Sequence, residues 1–455
     1  IMTSIQKQYR NIILFRLDRA FYDIPNKIAK FNLVSLLNQR NTVLKNLIIH
    51  PEQNLSNQRM ECFKSFNVEM INWSKLNEDQ CEAVKKCLSS DKYSLIRGMP
   101  GTGKTQVITE LLKCLIMNKK RVLITSFTHS AVDNIILKLI ENGFYDEKLF
   151  KIVRLGQQSN VNKKVQQFMI TNNIENYHQL QTKYKEANLI ATTCLSVHNF
   201  MVKEILKVDN EADVPLYQKF DYCILDEATQ VNLPISLAPL EWSKKFILVG
   251  DDNQLSPLVK SKKAIEMGLK ESLFTRLSKI DSRNVTNLTI QYRMNEDIMK
   301  LSNFLVYNNM LKCGDFNRKK YLPEIKDLDK KYDTNSLEYK ILNNKQSVLF
   351  IDYRNKLTNE KDSSYTDNIT KDSLVNIGEV KLIKDILDLF NKNYDNKNND
   401  EFNPVDDIGI LSIYRAQLNL LTTNLTSQLN LETSTENTKH LEIPVSYTHL
   451  TLPTN

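Results

Sequence analysis

The sequence predicts an α/β protein of parallel sheets covered by helices on both faces, divided into two domains. Three observations carry this expectation. Short β-branched and leucine-rich runs alternate with amphipathic stretches from Leu76 to about Arg283, as in a parallel sheet whose strands are buried on both faces. One of these runs ends in a glycine-rich loop that opens a helix. A second set of apolar runs follows between residues 315 and 414, in a background richer in Asn, Lys and Asp. The 455 residues suffice for two or three domains with their own cores.

In chain order, residues 1–75 have mixed character and read as the end of a preceding domain leading into a connecting helix. The first α/β domain spans 76–285. Its expected strands are YSLIRG (93–98), RVLITSF (121–127), DYCILDEA (221–228) and KFILVGD (245–251). ITELLKCLIMNKK (108–120) and HSAVDNIILKLIENG (129–143) have the apolar spacing of connecting helices. Residues 286–443 read as a second, partial α/β domain with Asn- and Lys-rich insertions. SVLFIDY (347–353) and DIGILSIY (407–414) are its expected strands, and NIGEVKLIKDILDLF (376–390) its helix. NKNYDNKNNDE (391–401) is polar and low in complexity, and reads as a loop. The last twelve residues, PVSYTHLTLPTN, break the pattern and read as a non-native tail.

Composition narrows the class of function. Apolar content of 41% and charged content of 25% are those of a globular protein. The net charge of +8 suits a polyanionic partner without specifying one. The seven cysteines are irregularly spaced and form no C-x-x-C pair. This argues against a zinc or iron–sulfur site built from this chain alone and for a reducing compartment. No apolar run approaches the roughly eighteen residues of a membrane span. The start shows no signal peptide, and its opening Ile1 suggests a piece of a longer protein.

The loop GMPGTGKT (98–105) fits G-x-x-x-x-G-K-[ST] between a strand and a helix. Gly98, Pro100, Gly101, Thr102 and Gly103 would let backbone amides close around the phosphates of ATP. Lys104 would supply charge to the β- and γ-phosphates, and Thr105 would ligate Mg²⁺. ILDEATQ (224–230) puts Asp226 and Glu227 at the end of an apolar strand, where ligands of such sheets bind. Asp226 would hold Mg²⁺ and Glu227 would orient and deprotonate the attacking water. In GDDNQLSP (250–257), Gln254 can hydrogen-bond both the γ-phosphate and that water. An Asx turn explains Asp251 and Asp252 about as well as a ligand role does. The amide of Gln80 matches an adenine edge, while a helix start capped by Asn77 explains LNEDQ (76–80) nearly as well. In QYRM (291–294), Tyr292 could stack on adenine and Arg293 could act as an arginine finger.

Together these residues resemble helicase superfamily 1 in its 5′-to-3′ branch, over about 76–443. The resemblance runs through Gln80, GMPGTGKT, TSFTHSAVDN (125–134), IATTCLS (190–196), DEATQ, GDDNQLSP, QYRM and IGILSIYRAQ (408–417). FRLDRAF, TSFTHSAVDNI and QYRMNEDIM look most like the helicase half of the eukaryotic replication nuclease–helicases that process Okazaki-fragment flaps. The resemblance implies two tandem RecA-like P-loop domains, the second incomplete, with ATP and Mg²⁺ as cofactors. It implies single-stranded DNA as the partner, with RNA left open, contacted by Thr125, Ser126, His129 and Thr193. It further implies replication and repair proteins as partners, no membrane, and residence in the nucleus with the mitochondrion as a second compartment. The family's nuclease core and iron–sulfur cysteines would precede residue 1. HLEI (440–443) looks like the strand entering a glutamine–glycine loop that this chain lacks, along with the final arginine motif. The resulting expectation is a chain that binds nucleotide and unwinds little. The rival readings are an RNA helicase of the nonsense-mediated-decay type, a non-catalytic binding fragment, and a P-loop kinase or GTPase. The last would need neither Gln254 nor QYRM.

Overall fold

The computed structural model describes residues 24–38, 42–143, 145–146, 148–169, 177–198, 220–315, 321–352, 368–370, 373–394, 402 and 407–426. The chain divides into two compact units, 1–289 and 290–455. No helix among the described residues is long and apolar enough to cross a membrane.

The first unit is an α/β layer structure on a seven-stranded sheet. Its strands are β1 (Tyr93–Gly98), β2 (Val122–Ser126), β3 (Ile152–Arg154), β4 (Leu189–Thr193), β5 (Phe220–Asp226), β6 (Ser243–Gly250) and β7 (Val285–Leu288), in the order β3-β4-β2-β5-β6-β1-β7. Every pairing is parallel. Alternate residues feed two separate cores, as the two-residue repeat of a strand requires. Ile96, Ile124, Ile224 and Ile247 join one layer with α4 (Glu78–Ser89), α5 (Lys104–Met117) and α6 (His129–Glu141). Leu95, Leu123, Leu225 and Leu248 join the other.

That second layer also takes up α1 (Ile24–Leu37) and α2 (Thr42–Ile49), through Leu36, Leu44, Leu47 and Ile48. The buried amide of Asn32 donates to the Pro234 carbonyl at 2.8 Å. Over its described part, the segment expected as the end of a preceding domain therefore packs as a layer of the first unit. The apolar stripes on these two helices have that sheet face to bury against.

The second unit, among its described residues, holds short ladders and helices. Ile290–Gln291 pairs in parallel with Lys312–Cys313, and Asn368–Thr370 pairs antiparallel with Ser373–Val375. Two expectations fail here. Ser347–Asp352 and Ile408–Ile413 are not strands, and Phe350 and Leu411 stand exposed. A strand exists through its ladder partner, and among the described residues neither run meets one. The helix expected to stop at residue 390 instead runs from Ile377 to Tyr394, into the stretch read as loop. Tyr394 stacks on Phe390 and meets Phe402 edge-on, so a buried aromatic cluster holds the last turn. Residues 395–401 of that stretch, and the expected tail at 444–455, lie outside the described residues.

Candidate functional site

The glycine-rich loop closes between the end of β1 and the start of α5. Pro100 and Gly101 make its bend. Gly103 precedes the helix at φ 80°, backbone that suits glycine and strains other residues. A Cβ on Gly103 would also lie 2.6 Å from Gln80 Nε2. Thr102 is buried, and its hydroxyl donates to the Met99 carbonyl at 2.7 Å. Among the described residues no side chain caps α5, so its first amides and dipole are left for an anion. The Lys104 ammonium lies back across the loop and donates to the Gly98 carbonyl at 2.9 Å. Thr105 follows, half-buried in the first turn.

Gln80 is engaged within the chain. Its Oε1 accepts from the Asn77 amide at 3.1 Å, and Asn77 Oδ1 accepts from the Gln80 amide at 2.9 Å, which makes a capping box at the start of α4. Its Nε2 donates to the Thr102 carbonyl at 3.0 Å. With the side chain buried, Gln80 caps α4 and braces the phosphate loop through the Thr102 carbonyl.

The carboxylate pair lies two strands away from β1 in the same sheet. Asp226 ends β5, in register with Ser126 of β2. It is buried beside Glu227, and burial together with that neighbouring carboxylate pushes its pKa up from 3.8 to about 7, against the pull of Lys104. Thr105 and Asp226 each carry an oxygen donor of the kind Mg²⁺ accepts, because that ion keeps several waters and takes phosphate oxygens. A cation would offset the cost of ionising Asp226. Glu227 holds φ 51°, ψ 40°, a left-handed conformation rare outside glycine and often kept at working sites. Its Oε2 accepts from Gln230 Nε2 at 3.2 Å, and its amide donates to Asp226 Oδ1 at 3.0 Å.

The loop 251–257, the expected sensor of the γ-phosphate, follows β6, which separates β5 from β1. Asp251 is buried and organises this loop, accepting from the Asn253 amide at 3.1 Å and from Gln254 Nε2 at 2.8 Å. The Asx-turn alternative therefore holds for Asp251. Asp252 does something the sequence reading missed: it receives Arg97 Nε at 2.7 Å and a second guanidinium nitrogen at 2.8 Å. Arg97 immediately precedes Gly98, so a two-pronged ion pair ties the phosphate loop to the sensor loop. The available signal was a lone charge in an otherwise uncharged strand.

Four residues were expected to touch nucleic acid. Three of them, Thr125, Ser126 and Thr193, are buried at strand ends. Thr125 Oγ1 lies 3.3 Å from Cys194 Sγ, and Thr193 Oγ1 donates to Ser196 Oγ at 2.8 Å. The physical reason is that strands in the middle of a two-faced sheet keep their side chains covered. Of the four, His129 alone is partly open to solvent, flanked by exposed Thr128 and Ser130 at the start of α6. In the second unit, buried Gln291 accepts from the amides of Arg293 at 2.9 Å and Met294 at 2.8 Å. This local turn leaves Tyr292 and Arg293 exposed.

A phosphate loop, a strand-end acid pair and a glutamine loop on one parallel sheet define a P-loop nucleoside triphosphatase of the helicase class. Family models described as AAA domains match residues 75–204 and 178–262, and residues 269–445. The DNA replication ATP-dependent helicase/nuclease DNA2 of Saccharomyces cerevisiae is 34% identical over 451 residues, covering 90% of this chain and 27% of that protein. The dna2 protein of Schizosaccharomyces pombe is 38% identical, covering 79% and 24%, and human DNA2 is 36% identical, covering 76% and 31%. The chain matches these helicase/nucleases over most of its own length and spans about a quarter to a third of theirs. Among solved structures, the Pif1 helicase of Candida albicans is 17% identical with a TM-score of 0.29, covering 50% of this chain and 43% of that one.

Proposed function

We propose that this chain is the ATP-driven motor of a 5′-to-3′ DNA helicase that works on single-stranded DNA in replication and repair, within a nuclear nuclease–helicase. The observation that carries the reading is the convergence of Lys104, the Asp226–Glu227 pair and Gln254 on neighbouring strand ends of one sheet. Bound ATP with Mg²⁺ supplies the phosphoryl bond whose hydrolysis drives motion. Lys104 holds the β- and γ-phosphates, and Thr105 with Asp226 holds the cation. Glu227 takes a proton from the attacking water. Gln254 reads the γ-phosphate, and the Arg97–Asp252 pair links that reading to the phosphate loop. Tyr292 and Arg293 are assigned to adenine stacking and to phosphate charge on their motif alone. The DNA2 relatives support DNA as the strand.

The test is ATP hydrolysis by the wild-type chain alone, with single-stranded DNA and with single-stranded RNA, beside Lys104→Ala. Stimulation by DNA that Lys104→Ala abolishes is the expected result. Stimulation by RNA alone would transfer the reading to an RNA motor. Absence of both nucleotide binding and strand stimulation would overturn it.

A further inference from the structure

The largest fully buried side chain among the described residues is that of Arg154, at 0% exposure, at the end of β3. The catalytic reading gives it no task. A buried guanidinium stays charged and needs its donors satisfied. Here Arg154 Nε donates to Asp133 Oδ1 at 2.7 Å, one terminal nitrogen donates to the Leu155 carbonyl, and the other lies 3.1 Å from His129 Nδ1. Asp133 is equally occupied, because its second oxygen accepts from the Asn162 amide at 2.8 Å.

Arginine has donors and no acceptor. Nδ1 of His129 must therefore be the acceptor, and the proton of the neutral ring must sit on Nε2. The packing on that edge agrees. A Cβ on Gly156 would come within 3.1 Å of His129 Cε1 and 3.3 Å of Nδ1, so the glycine makes room for the Nδ1 edge to seat against β3. The ring belongs to the first residue of α6, is half-buried, and stands beside exposed Thr128 and Ser130.

The geometry points to Arg154 and Asp133 as positioning residues that fix His129 as a neutral Nε2–H donor toward a backbone phosphate of the bound strand. This rests on the reading that the first unit grips single-stranded nucleic acid. Charging the ring would place a proton on Nδ1, facing the Arg154 guanidinium. Burial and Arg154 both lower the His129 pKa, and Asp133 opposes them by less. The grip at this position is therefore a hydrogen bond without a full charge. It adds affinity without adding to the salt dependence that a cation on phosphate would bring.

Two measurements on the full chain test this. The first is ¹⁵N NMR of the imidazole nitrogens without DNA, from pH 8 to pH 6. Nδ1 is expected to be bare and Nε2 protonated throughout. A protonated Nδ1, or a ring charged near the ordinary histidine pKa of about 6.5, would overturn the proposal. The second is binding of a fluorescein-labelled oligo-dT by anisotropy over a salt series. His129→Phe should bind about tenfold more weakly with an unchanged salt slope, since a hydrogen bond to a charged phosphate is lost. His129→Gln, which keeps an N–H donor, should stay within about threefold of wild type, the expected loss for an imperfectly placed bond. An unchanged affinity in His129→Phe would reduce the residue to packing, and a salt slope reduced by about one would make it a cation. If the wild-type chain binds no strand, the grip reading itself falls and takes the donor's target with it. The NMR result then stands alone as a statement about the tautomer.

Discussion

Replacing Asp226 by asparagine should stabilise the nucleotide-free protein at pH 8 while removing its Mg²⁺-dependent ATP hydrolysis. The folded-state pKa of Asp226 is raised from 3.8 to about 7, first by burial and then by Glu227. For a raised pKa the sign is fixed: the protonated carboxyl's contribution is fully present below about pH 4 and is lost as pH rises through about 7. A rise of about three pKa units at about 1.4 kcal/mol each means that the ionised carboxylate costs the empty fold about 4 kcal/mol above pH 7. Asparagine keeps an acceptor oxygen for the Glu227 amide and never ionises. The melting temperature of Asp226→Asn should therefore equal that of wild type near pH 4. It should rise above wild type as pH increases and level off beyond pH 7, at a gain of up to about 10 °C for a unit of this size. Adding ATP with Mg²⁺ at pH 8 should raise the wild-type melting temperature and leave the variant's unchanged. A difference between the two proteins that does not vary from pH 4 to pH 8, or a variant that melts lower at pH 8, would refute the argument that this site stores an uncompensated charge for a cation.

Gln80→Ala removes the capping box and the bond to the Thr102 carbonyl together, and should cost about 1–2 kcal/mol of stability in urea unfolding. It should also weaken ATP binding in a titration with a fluorescent nucleotide. Full retention of affinity would show that the phosphate loop holds its shape without this brace. Gly103→Ala should lose more, about 1–3 kcal/mol, because φ of 80° and Gln80 both oppose a Cβ. The check is thermal melting beside Gln80→Ala, in whose background the alanine should be better tolerated. Breaking the Arg97–Asp252 pair by Arg97→Ala or Asp252→Ala should slow hydrolysis, while the reciprocal exchange Arg97→Asp with Asp252→Arg should recover part of it. A double-mutant cycle is expected to give a coupling of about 1 kcal/mol, since both side chains are about a fifth exposed. Zero coupling would leave the pair a surface ornament.

Legibility in the sequence divided along a physical line. The parallel sheet was readable because its strands are covered on both faces, so runs such as YCIL and FILV announce themselves without knowledge of their neighbours. The phosphate loop was readable because glycine, lysine and threonine at fixed spacing answer a local geometric demand. Ser347–Asp352 looked equally apolar and is not a strand, because what makes a strand is a ladder partner far away in the chain. Tyr394 looked like loop because its neighbours are polar, yet its spacing of four from Phe390 is one helical turn. That periodic cue was present and was outweighed by composition. Gln80 shows a third case. Both of its readings named real capacities of an amide, and the distances to Asn77 and Thr102 show the capping one at work.

Arg97 and Arg154 extend the same argument to function. Each is the one charged residue of its strand, and taking a charge out of water is expensive unless it is paired. An arginine in such a strand therefore implies a carboxylate partner on energetic grounds alone. What the sequence could not say is which partner. For Arg97 it is Asp252, 155 residues away, on the sensor loop. For Arg154 it is Asp133, on the helix that starts with His129. In both cases the partner sits on an element that the motifs had already marked for nucleotide sensing or strand contact. These paired charges are therefore best understood as the means by which the sheet holds those elements at fixed positions. Charge-preserving exchanges should accordingly disturb activity less than neutral truncations of similar size do.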